Sequence, residues 1–272
     1  PPHLIASHNI EADIWRRRAA VARGATARMF FRMQAAKMVR FERRAFRRAA
    51  AVTAVSVGDC AAALRMGARR TAMVANGVDL EQFQPAPGKE VAGRLLFLGA
   101  LDWFANQDAV LHFVQATLPL IRARRPGAHL QVVGRRPAEA LRRRLSGQPG
   151  VELAGEVEDV RPYLAAAAVV VVPLRIGGGS RIKIIEALAM EKAVVATTVG
   201  AEGLEVRPGT HLLLADEPQQ FARLTAQLLA TPAQAAQLGR TGGRWVREHH
   251  NWDDAARALE RAWLAAAAGG RG

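Results

Sequence analysis

Two kinds of hydrophobic pattern alternate along residues 94–250. Short apolar runs of strand length are followed, except between residues 197 and 212, by longer stretches in which apolar residues recur at helical spacing. Strands that alternate with helices predict a parallel sheet covered on both faces, the doubly wound α/β arrangement. The predicted strands are Leu95–Leu98, Leu130–Val133, Val151–Leu153, Val169–Pro173, Ala193–Thr197 and Leu212–Leu214. The predicted helices are Gln107–Arg124, Pro137–Leu145, Val160–Ala167, Arg181–Met190, Pro218–Leu229, Pro232–Arg247 and Asp253–Ala267.

A second group of elements precedes residue 80. The long helical stretch Asp13–Ala49 is interrupted near Gly24 and places aromatic and methionine side chains among arginines, which is typical of amphipathic helices. The elements around it are strands Leu4–Ser7, Ala51–Ser56 and Thr71–Ala75 and a helix at Asp59–Arg65. Residues 80–93 contain prolines and no periodicity, so we interpret them as a linker between two domains.

Composition agrees with a globular protein. Half of the 272 residues are hydrophobic, and no apolar run approaches the ~20 residues that a membrane-spanning helix needs. The single cysteine, Cys60, excludes an internal disulfide and a Cys-cluster metal site, and it fits a reducing compartment. No signal peptide is visible. Because the chain opens at Pro1 and not at Met, we expect that a preceding segment is missing.

Charge is concentrated in one segment. The formal net charge is +14, and residues Arg16–Arg48 carry twelve Lys/Arg and one acid, Glu42, which leaves +3 on the rest of the chain. Such a segment attracts polyanions such as nucleic acids, anionic lipid headgroups or acidic sugars. A solvated helix face in an arginine-rich protein explains the same composition.

The carboxyl ends of the predicted strands are where a doubly wound sheet binds its ligands. Those ends fall at Gly99–Asn106, Gly134–Arg136, Gly155–Asp159, Arg175–Ser180 and Thr198–Glu202. A ligand site is therefore expected among these five segments.

A glycine-rich turn between a strand and a helix is the sharpest chemical signal. Residues 173–187 read PLRIGGGSRIKIIEA, and the glycines Gly177, Gly178 and Gly179 would let the backbone approach a ligand closely. Ser180 is a candidate N-cap, and the N–H groups of the helix start favour a phosphate. Arg181 and Lys183 place full positive charge in the first turn, where the helix dipole alone favours an acid.

The helix that follows adds a carboxylate. Glu186 could accept hydrogen bonds from a pair of ribose hydroxyls. A structural explanation remains, namely a tight strand–helix turn with a surface pair between Lys183 and Glu186.

Other nucleotide and metal motifs do not match. The first strand of the alternating region is not followed by Gly-x-Gly-x-x-Gly, and the Lys-Ser/Thr pair of a P-loop is missing. His-Glu-x-x-His and a divalent-metal Asp-x-Asp are also missing. We predict a metal-independent site without a cofactor, in which Arg, Lys and helix N–H groups neutralise a diphosphate.

These residues resemble glycosyltransferase family 4, also called group 1. The similarity rests on the run GGGSRIKIIEALAM at 177–190, the segments AVVAT at 193–197 and VGAEG at 199–203, and NGVD at 76–79. Val133-Gly134 and Trp252-Asp253 are also similar to segments of that family. Together they cover nearly the whole chain, in the expected order.

The resemblance implies a GT-B fold. A complete Rossmann-like donor domain would span residues 94–250, after a linker at 80–93. Residues 1–79 would be the end of a Rossmann-like acceptor domain, and residues 251–272 a helix that packs back towards it.

The resemblance also implies roles for individual residues. Glu186 matches the second glutamate of the family's paired motif and would bind the ribose, whereas Gly178 stands where the first glutamate is usual. Ala100 and Ala105 appear where the family has an Arg and a Lys. Arg181 and Lys183, with Arg175, would then supply the phosphate charge.

Four further positions are assigned from the same likeness. Gly99 and Gly134 would line the donor site. Asn106 is either a polar contact there or the N-cap of the next helix, and we favour the cap. His8 is a weak catalytic candidate at the end of a strand in the acceptor cleft. An exposed His8 beside a helix-capping Asn9 is the alternative. No nucleophile is assigned.

The function implied is retaining transfer of a hexose from a UDP-sugar or GDP-sugar to a carbohydrate or lipid-linked acceptor, in polysaccharide or glycolipid assembly. We expect a bacterial enzyme in the cytoplasm, with Arg16–Arg48 docking on the inner face of the plasma membrane. An inactive nucleotide-binding module is one alternative. A nucleic-acid-binding protein is another, but no signature of one appears and we expect no nucleic-acid partner.

Overall fold

Two parallel sheets organise the chain. The structure is a computed structural model that describes residues 2–177 and 181–268. The first sheet contains β1 (Leu4–Ser7), β2 (Ala51–Ala54) and β3 (Thr71–Met73) in that order. The second contains β4 (Arg94–Leu98), β5 (His129–Val133), β6 (Val151–Gly155), β7 (Val169–Val172), β8 (Val194–Ala196) and β9 (Leu213–Leu214).

The second sheet has the doubly wound topology that the alternating pattern predicts. Its strand order is β6-β5-β4-β7-β8-β9, and every neighbouring pair is parallel. The chain therefore enters in the middle at β4, winds outwards to β6, and returns to the middle at β7. The predicted α/β class is confirmed.

Twelve α-helices lie in the described part of the chain. They are α1 (Glu11–Val21), α2 (Ala25–Arg48), α3 (Val57–Arg65), α4 (Phe104–His112), α5 (Leu118–Arg124), α6 (Glu139–Leu145), α7 (Arg161–Ala166), α8 (Ile182–Ala189), α9 (Thr198–Ala201), α10 (Pro218–Ala230), α11 (Pro232–His249) and α12 (Trp252–Ala268). The predicted helix Gln107–Arg124 begins three residues earlier and contains a π-helical turn, Phe113–Thr117, between α4 and α5. The short helix α9 was not predicted.

The break near Gly24 separates α1 from α2. Gly24 has a φ of 90°, a conformation that residues with a side chain rarely adopt. Glu42 of α2 is buried and accepts hydrogen bonds from the backbone N–H groups of Glu11 (2.7 Å) and Ala12 (3.2 Å). The one acid of the basic segment therefore caps the start of α1 instead of balancing charge on the surface.

The two sheets have cores of very different size. The larger core covers both faces of the six-stranded sheet and includes Leu96, Phe97 and Phe113. At about 1.5–3 kcal/mol for each large side chain buried, this core dominates the stability of the chain. The smaller core lies under the three-stranded sheet and includes Phe46 and Val52.

Two crossings of the chain between the sheets lie side by side. The N–H of Val78 donates to the carbonyl of His250 (2.9 Å), and the His250 ring bonds the carbonyl of Asn76 (2.8 Å). Helix α12 packs against β2 and β3. No described helix or strand lies within residues 80–93. The domain boundaries at 79, 93 and 250 remain predictions.

Candidate functional site

The switch point of the six-stranded sheet lies between β4 and β7. These strands are neighbours, but the connections that follow them run towards opposite edges of the sheet. Ligands of such sheets bind outside the carboxyl ends of the strands at this point. Gly99 directly follows β4, and Gly177 comes a few residues after β7.

A cavity of about 330 Å³, here called the strand-end cavity, opens beside Gly99. It lies at the ends of β4, β5 and β6 and against the first turns of α8. Its lining consists of Leu98, Gly99, Ala100, Val133, Gly134, Arg135, Glu156, Val157, Val160, Lys183 and Glu186. Four of the predicted site residues, Gly99, Gly134, Lys183 and Glu186, therefore meet at one place.

The two glycines are required by close contacts within the protein. A Cβ atom on Gly134 would lie 1.8 Å from the carbonyl oxygen of Gly99, so the two loops touch backbone to backbone. A Cβ on Gly99 would lie 2.7 Å from Nζ of Lys183 and 2.8 Å from Cγ of Asn106. Gly99 therefore makes room for Lys183.

Lys183 is held in place by an amide. Its Nζ donates to Oδ1 of Asn106 (2.8 Å) and lies 5.1 Å from the centre of the Phe97 ring. The Asn106 amide is fixed in turn, because its Nδ2 donates to the carbonyl of Ala100 (2.9 Å). Burial, assisted by the charge of Arg181, lowers the pKa of Lys183 to about 7.

This contact corrects the predicted role of Asn106. The N-cap of α4 is Trp103, with no side-chain cap bond, and Asn106 lies inside the helix. An asparagine three residues into the helix can reach Lys183, whereas one at the cap would bond the helix's own N–H groups. The N-cap interpretation was wrong.

Glu186 lies one turn beyond Lys183 on α8, half-buried at the same cavity. Burial raises the pKa of the Glu186 carboxyl to about 7, against the opposing charge of Lys183. No ion pair within 4.0 Å joins these two side chains in the described residues, so they do not form the surface pair considered above. The strand-end cavity thus holds a base and an acid that both titrate near neutrality.

Arg181 occupies the N-cap position of α8 and is only 4 % exposed. Its Nη2 donates to the carbonyl of Val199 (2.7 Å) and lies 3.5 Å from Oε2 of Glu202. Burial lowers the pKa of the guanidinium to about 10, so it carries its charge at neutral pH. Gly178, Gly179 and Ser180 lie outside the described residues, so the predicted approach of two glycines and the Ser180 cap remain predictions.

A second cavity, here called the cleft cavity, is lined by Arg181 but not by Lys183 or Glu186. It has a volume of about 290 Å³ and separates α1 and α3 from the segment around Gly177. Its lining consists of Ile10, Asp13, Arg17, Ser56, Gly58, Asp59, Ala62, Arg65, Gly177, Arg181, Glu202 and Gly203. Gly177 and Arg181 therefore lie across this cavity from α1 and α3, the helices that accompany the three-stranded sheet.

Arg175 does not join this group. Its guanidinium binds Asp108 through two hydrogen bonds, Nε to Oδ2 (3.0 Å) and Nη2 to Oδ1 (2.6 Å). It lines neither the strand-end cavity nor the cleft cavity. The bidentate pair satisfies the charge that we expected to face a phosphate.

His8 is exposed just after β1 and lines neither cavity. The N-cap of α1 is Ile10, so Asn9 is not the cap that the alternative interpretation required. The Asn9 amide instead donates to the Glu11 carboxylate (2.8 Å).

Some residues of the site were missed by sequence reasoning. Arg17 contacts Glu202 and Gly177 although it lies more than 150 positions away, and only its charge was noted. Arg135 and Glu156 line the strand-end cavity, and the only signal for them was their position at strand ends.

Residues 2–177 and 181–268 contain no group of three His, Cys, Asp or Glu placed to hold a metal ion. None of the described helices is long and apolar enough to cross a membrane.

Sequence comparison gives a family and two relatives. Residues 92–231, more than half of the chain, match the family model for glycosyl transferases group 1. A GDP-mannose-dependent monoacylated alpha-(1-6)-phosphatidylinositol monomannoside mannosyltransferase of Corynebacterium glutamicum is 28% identical over 201 residues, 65% of this chain and 52% of that protein. A D-inositol 3-phosphate glycosyltransferase of Streptomyces avermitilis is 28% identical over 223 residues, 72% and 47% respectively. The chain spans about half the length of these relatives.

Solved structures share the fold. Sucrose-phosphate synthase from Thermosynechococcus elongatus superposes with a TM-score of 0.77 at 23% identity, covering 98% of this chain and 68% of that one. HepE of Anabaena, in complex with UDP and glucose, has a TM-score of 0.71 at 17% identity, covering 97% and 71%. The expected GT-B fold is thereby confirmed.

Proposed function

The chain belongs to the group 1 glycosyl transferases, and on that premise we propose that it transfers a hexose from a nucleoside diphosphate sugar to an acceptor hydroxyl with retention at the anomeric carbon. The acceptor we propose is a carbohydrate or lipid-linked molecule of polysaccharide or glycolipid assembly. The observation that carries the proposal is the meeting of Lys183 and Glu186 in one cavity at the switch point of the sheet.

The two cavities suggest how the donor lies. The nucleoside would occupy the strand-end cavity, where Glu186 can accept from the ribose hydroxyls and Gly134 and Val157 line the wall. The sugar would point into the cleft cavity. The diphosphate would then cross the start of α8, between Lys183 on one side and Arg181 on the other.

Catalysis would depend on fixed positive charges that stabilise the leaving diphosphate. The bond to the leaving diphosphate breaks more easily when donors are already aimed at the charge that develops. Lys183, held by Asn106, and Arg181, held by the Val199 carbonyl, are such donors. We propose that they neutralise the diphosphate without a metal ion.

The relatives support the choice of substrates. The Corynebacterium protein is named for a GDP-mannose donor and a phosphatidylinositol-linked acceptor, and the Streptomyces protein for an inositol phosphate acceptor. A UDP-sugar or a GDP-sugar therefore comes first among the donors to test. Because the chain spans about half of each relative, transfer is to be tested separately from binding.

Calorimetric titration with UDP, GDP and ADP in the presence of EDTA tests the donor site. We expect micromolar binding of one nucleotide, weakened about tenfold or more in Glu186→Gln because the ribose loses a charged acceptor. Glu158→Gln is the matched control, because Glu158 is exposed in the same loop region as Glu156 but does not line the cavity.

Two results would count against the proposal. Equal binding of all three nucleotides by wild type and Glu186→Gln would place the nucleotide elsewhere. Binding without any transfer to a lipid-linked or free sugar acceptor would leave a nucleotide-binding module, the alternative named above.

We also propose that α2 docks on the inner, anionic face of the plasma membrane, which places the protein in the cytoplasm. Met29, Phe30, Met33 and Phe41 are exposed on this helix, Met29 by 66 % and Phe41 by 68 %. Arginines surround them, and a groove of about 650 Å³ between α1 and α2 is lined by Arg16, Arg28 and Arg32. Exposed apolar side chains on a cationic helix are typical of interfacial binding.

The energy available is sufficient for reversible docking. Each engaged Lys or Arg contributes about 1 kcal/mol near an anionic surface. The segment Arg16–Arg48 carries twelve Lys/Arg, and its one acid, Glu42, is buried and bound to backbone N–H groups at the start of α1. A lipid-linked acceptor would be reached from this surface.

Flotation with phosphatidylcholine vesicles, with and without phosphatidylglycerol, tests the docking. We expect flotation only with the anionic lipid, and loss of it in the double variant Phe30→Ser/Phe41→Ser. Trp263→Ser is the control, because Trp263 is an aromatic on α12 whose exposure, 58 %, lies between those of Phe30 and Phe41. Flotation that does not depend on anionic lipid would remove this part of the proposal.

A further inference from the structure

One face of α1 reaches across to the donor half of the molecule. Ile14, Arg17 and Arg18 stand three and four positions apart and therefore share a face of the helix. Ile14 packs in a small buried cluster with Ala105 and Ile176. The Arg18 guanidinium lies 4.0 Å from the centre of the Phe104 ring. These two contacts fix the position of Arg17 between them.

Arg17 touches the glycine-rich segment directly. Its Nη1 donates to the carbonyl oxygen of Gly177, and its Nη2 donates to Oε1 of Glu202 (2.6 Å). Its Nη1 also bonds Oε2 of Glu202. A guanidinium of α1 thus contacts Gly177, the first of the three consecutive glycines that precede α8 in the sequence.

Glu202 is shared between two arginines. Its Oε2 accepts from Arg17 and lies 3.5 Å from Nη2 of Arg181. Arg17 belongs to α1 and Arg181 is the N-cap of α8, and both line the cleft cavity together with Glu202. Two guanidinium groups that converge on one carboxylate form a binding site for an anion, here occupied by an internal one.

A phosphate is the anion that fits this position. The start of α8 lies between the two cavities, with Lys183 on the strand-end side and Arg181 and Arg17 on the cleft side. We propose that Arg17 binds the phosphate of the donor that is farther from the nucleoside, and that Glu202 competes with this phosphate for the two arginines. The inference rests on the proposed function, because it presupposes a nucleoside diphosphate at α8.

A purely structural role for Arg17 makes a different prediction. If the Arg17–Glu202 pair only held the two halves together, removing either partner would break the same bond and change affinity in the same direction. If Arg17 binds phosphate and Glu202 competes, the two substitutions act in opposite directions. This contrast separates the two roles.

The experiment is titration of wild type, Arg17→Ala, Arg17→Lys and Glu202→Gln with the preferred nucleoside diphosphate and with its monophosphate. We expect Arg17→Ala to weaken diphosphate binding about 10- to 100-fold, with partial rescue in Arg17→Lys, and to leave monophosphate binding within about twofold. Glu202→Gln should tighten diphosphate binding about three- to tenfold. Arg69→Ala is the control, because Arg69 is an exposed arginine of the same half that lines neither cavity.

Three other outcomes would overturn the inference. Weaker diphosphate binding in both Arg17→Ala and Glu202→Gln would make the pair a structural latch and overturn the inference. Equal losses of monophosphate and diphosphate would do the same, and the proposed function would stand in both cases. Failure of wild type to bind any nucleoside diphosphate would overturn the inference and the proposed function together.

Discussion

Positive charge is built into this protein in two different ways. At the start of α8, Lys183 and Arg181 are largely removed from water and bound by named partners, Asn106 and the Val199 carbonyl. On α2 the arginines lie on an exposed surface beside exposed Met29 and Phe41. Cations held in fixed positions can recognise one anion by its shape. Exposed cations attract any anionic surface, and salt weakens that attraction.

The largest expected difference between the α8 site and the α2 surface is in how strongly salt weakens the binding at each. Raising salt from about 0.05 M to about 0.5 M should weaken binding to anionic vesicles by more than about tenfold, because the Debye length falls to a few ångströms. Nucleotide affinity at the partly buried α8 site should fall by much less. Vesicle flotation and calorimetry over the same salt series measure the two effects. An equal salt dependence would contradict the distinction.

A glycine substitution should damage one region and spare the other. Gly134→Ala would place its Cβ 1.8 Å from the Gly99 carbonyl, a clash between two backbones that no side-chain rotation relieves. We expect a loss of about 3 kcal/mol or more in the free energy of unfolding and loss of nucleotide binding. Urea unfolding and titration measure this.

The control for that substitution is Gly127→Ala, since a Cβ on Gly127 meets no atom within 4 Å. Any Gly134→Ala protein that stays folded should still float with anionic vesicles. A Gly134→Ala protein with unchanged stability would show that the loops after β4 and β5 are not in the close contact described.

The amide of Asn106 should set the pH range in which the donor site works. Because burial lowers the pKa of Lys183 to about 7, the ammonium loses its proton, and its attraction for a diphosphate, as pH rises above that value. Asn106→Asp should move the decline in affinity to higher pH, because a carboxylate favours the charged lysine. Asn106→Ala should weaken binding about tenfold at all pH values, through loss of the hydrogen bond that holds Nζ. Titration between about pH 6 and pH 9 measures both.

One outcome of this pH titration would contradict the role assigned to Lys183. If the pH profile of Asn106→Asp coincides with that of wild type, Lys183 is not the group that controls affinity.

The smallest effect is expected for Arg175. Arg175→Ala should leave nucleotide affinity within about twofold and cost at most about 1 kcal/mol of stability, because its bidentate pair with Asp108 is partly exposed. Titration and urea unfolding test this. A loss of nucleotide affinity as large as that of Glu186→Gln would mean that Arg175 does bind the phosphate, as the sequence predicted.

The fold was largely predictable from the sequence because its signals are local. Buried runs such as VVVV at 169–172 and the helices between them follow simple periodicity. The starts of α10 and α11, each marked by a proline, were predicted correctly, whereas α4 begins three residues and α3 two residues before the predicted position. Helix α9 has four residues, too few for a period to appear.

The site was only half predictable because its remaining contacts are distant in sequence. The glycine turn with Arg181, Lys183 and Glu186 is one continuous run. The Asn106 amide, by contrast, is 77 positions from Lys183, and Arg17 is 185 positions from Glu202. From composition alone, Arg17 is one of the twelve Lys/Arg residues in Arg16–Arg48. The packing of Ile14 and Arg18 against the other half, together with the bonds of Arg17 to Gly177 and Glu202, distinguishes it from the other arginines.

The most direct test of the donor site is the proton exchanged when a nucleoside diphosphate binds. With the pKa of both Lys183 and Glu186 near 7, a diphosphate should draw a proton onto Lys183 at about pH 8, where Glu186 has already lost its own. Titration in two buffers of different ionisation enthalpy measures this uptake. The account predicts an uptake approaching one proton in wild type and none in Lys183→Met. Binding in wild type without proton uptake at that pH would contradict the claim that the diphosphate lies on Lys183.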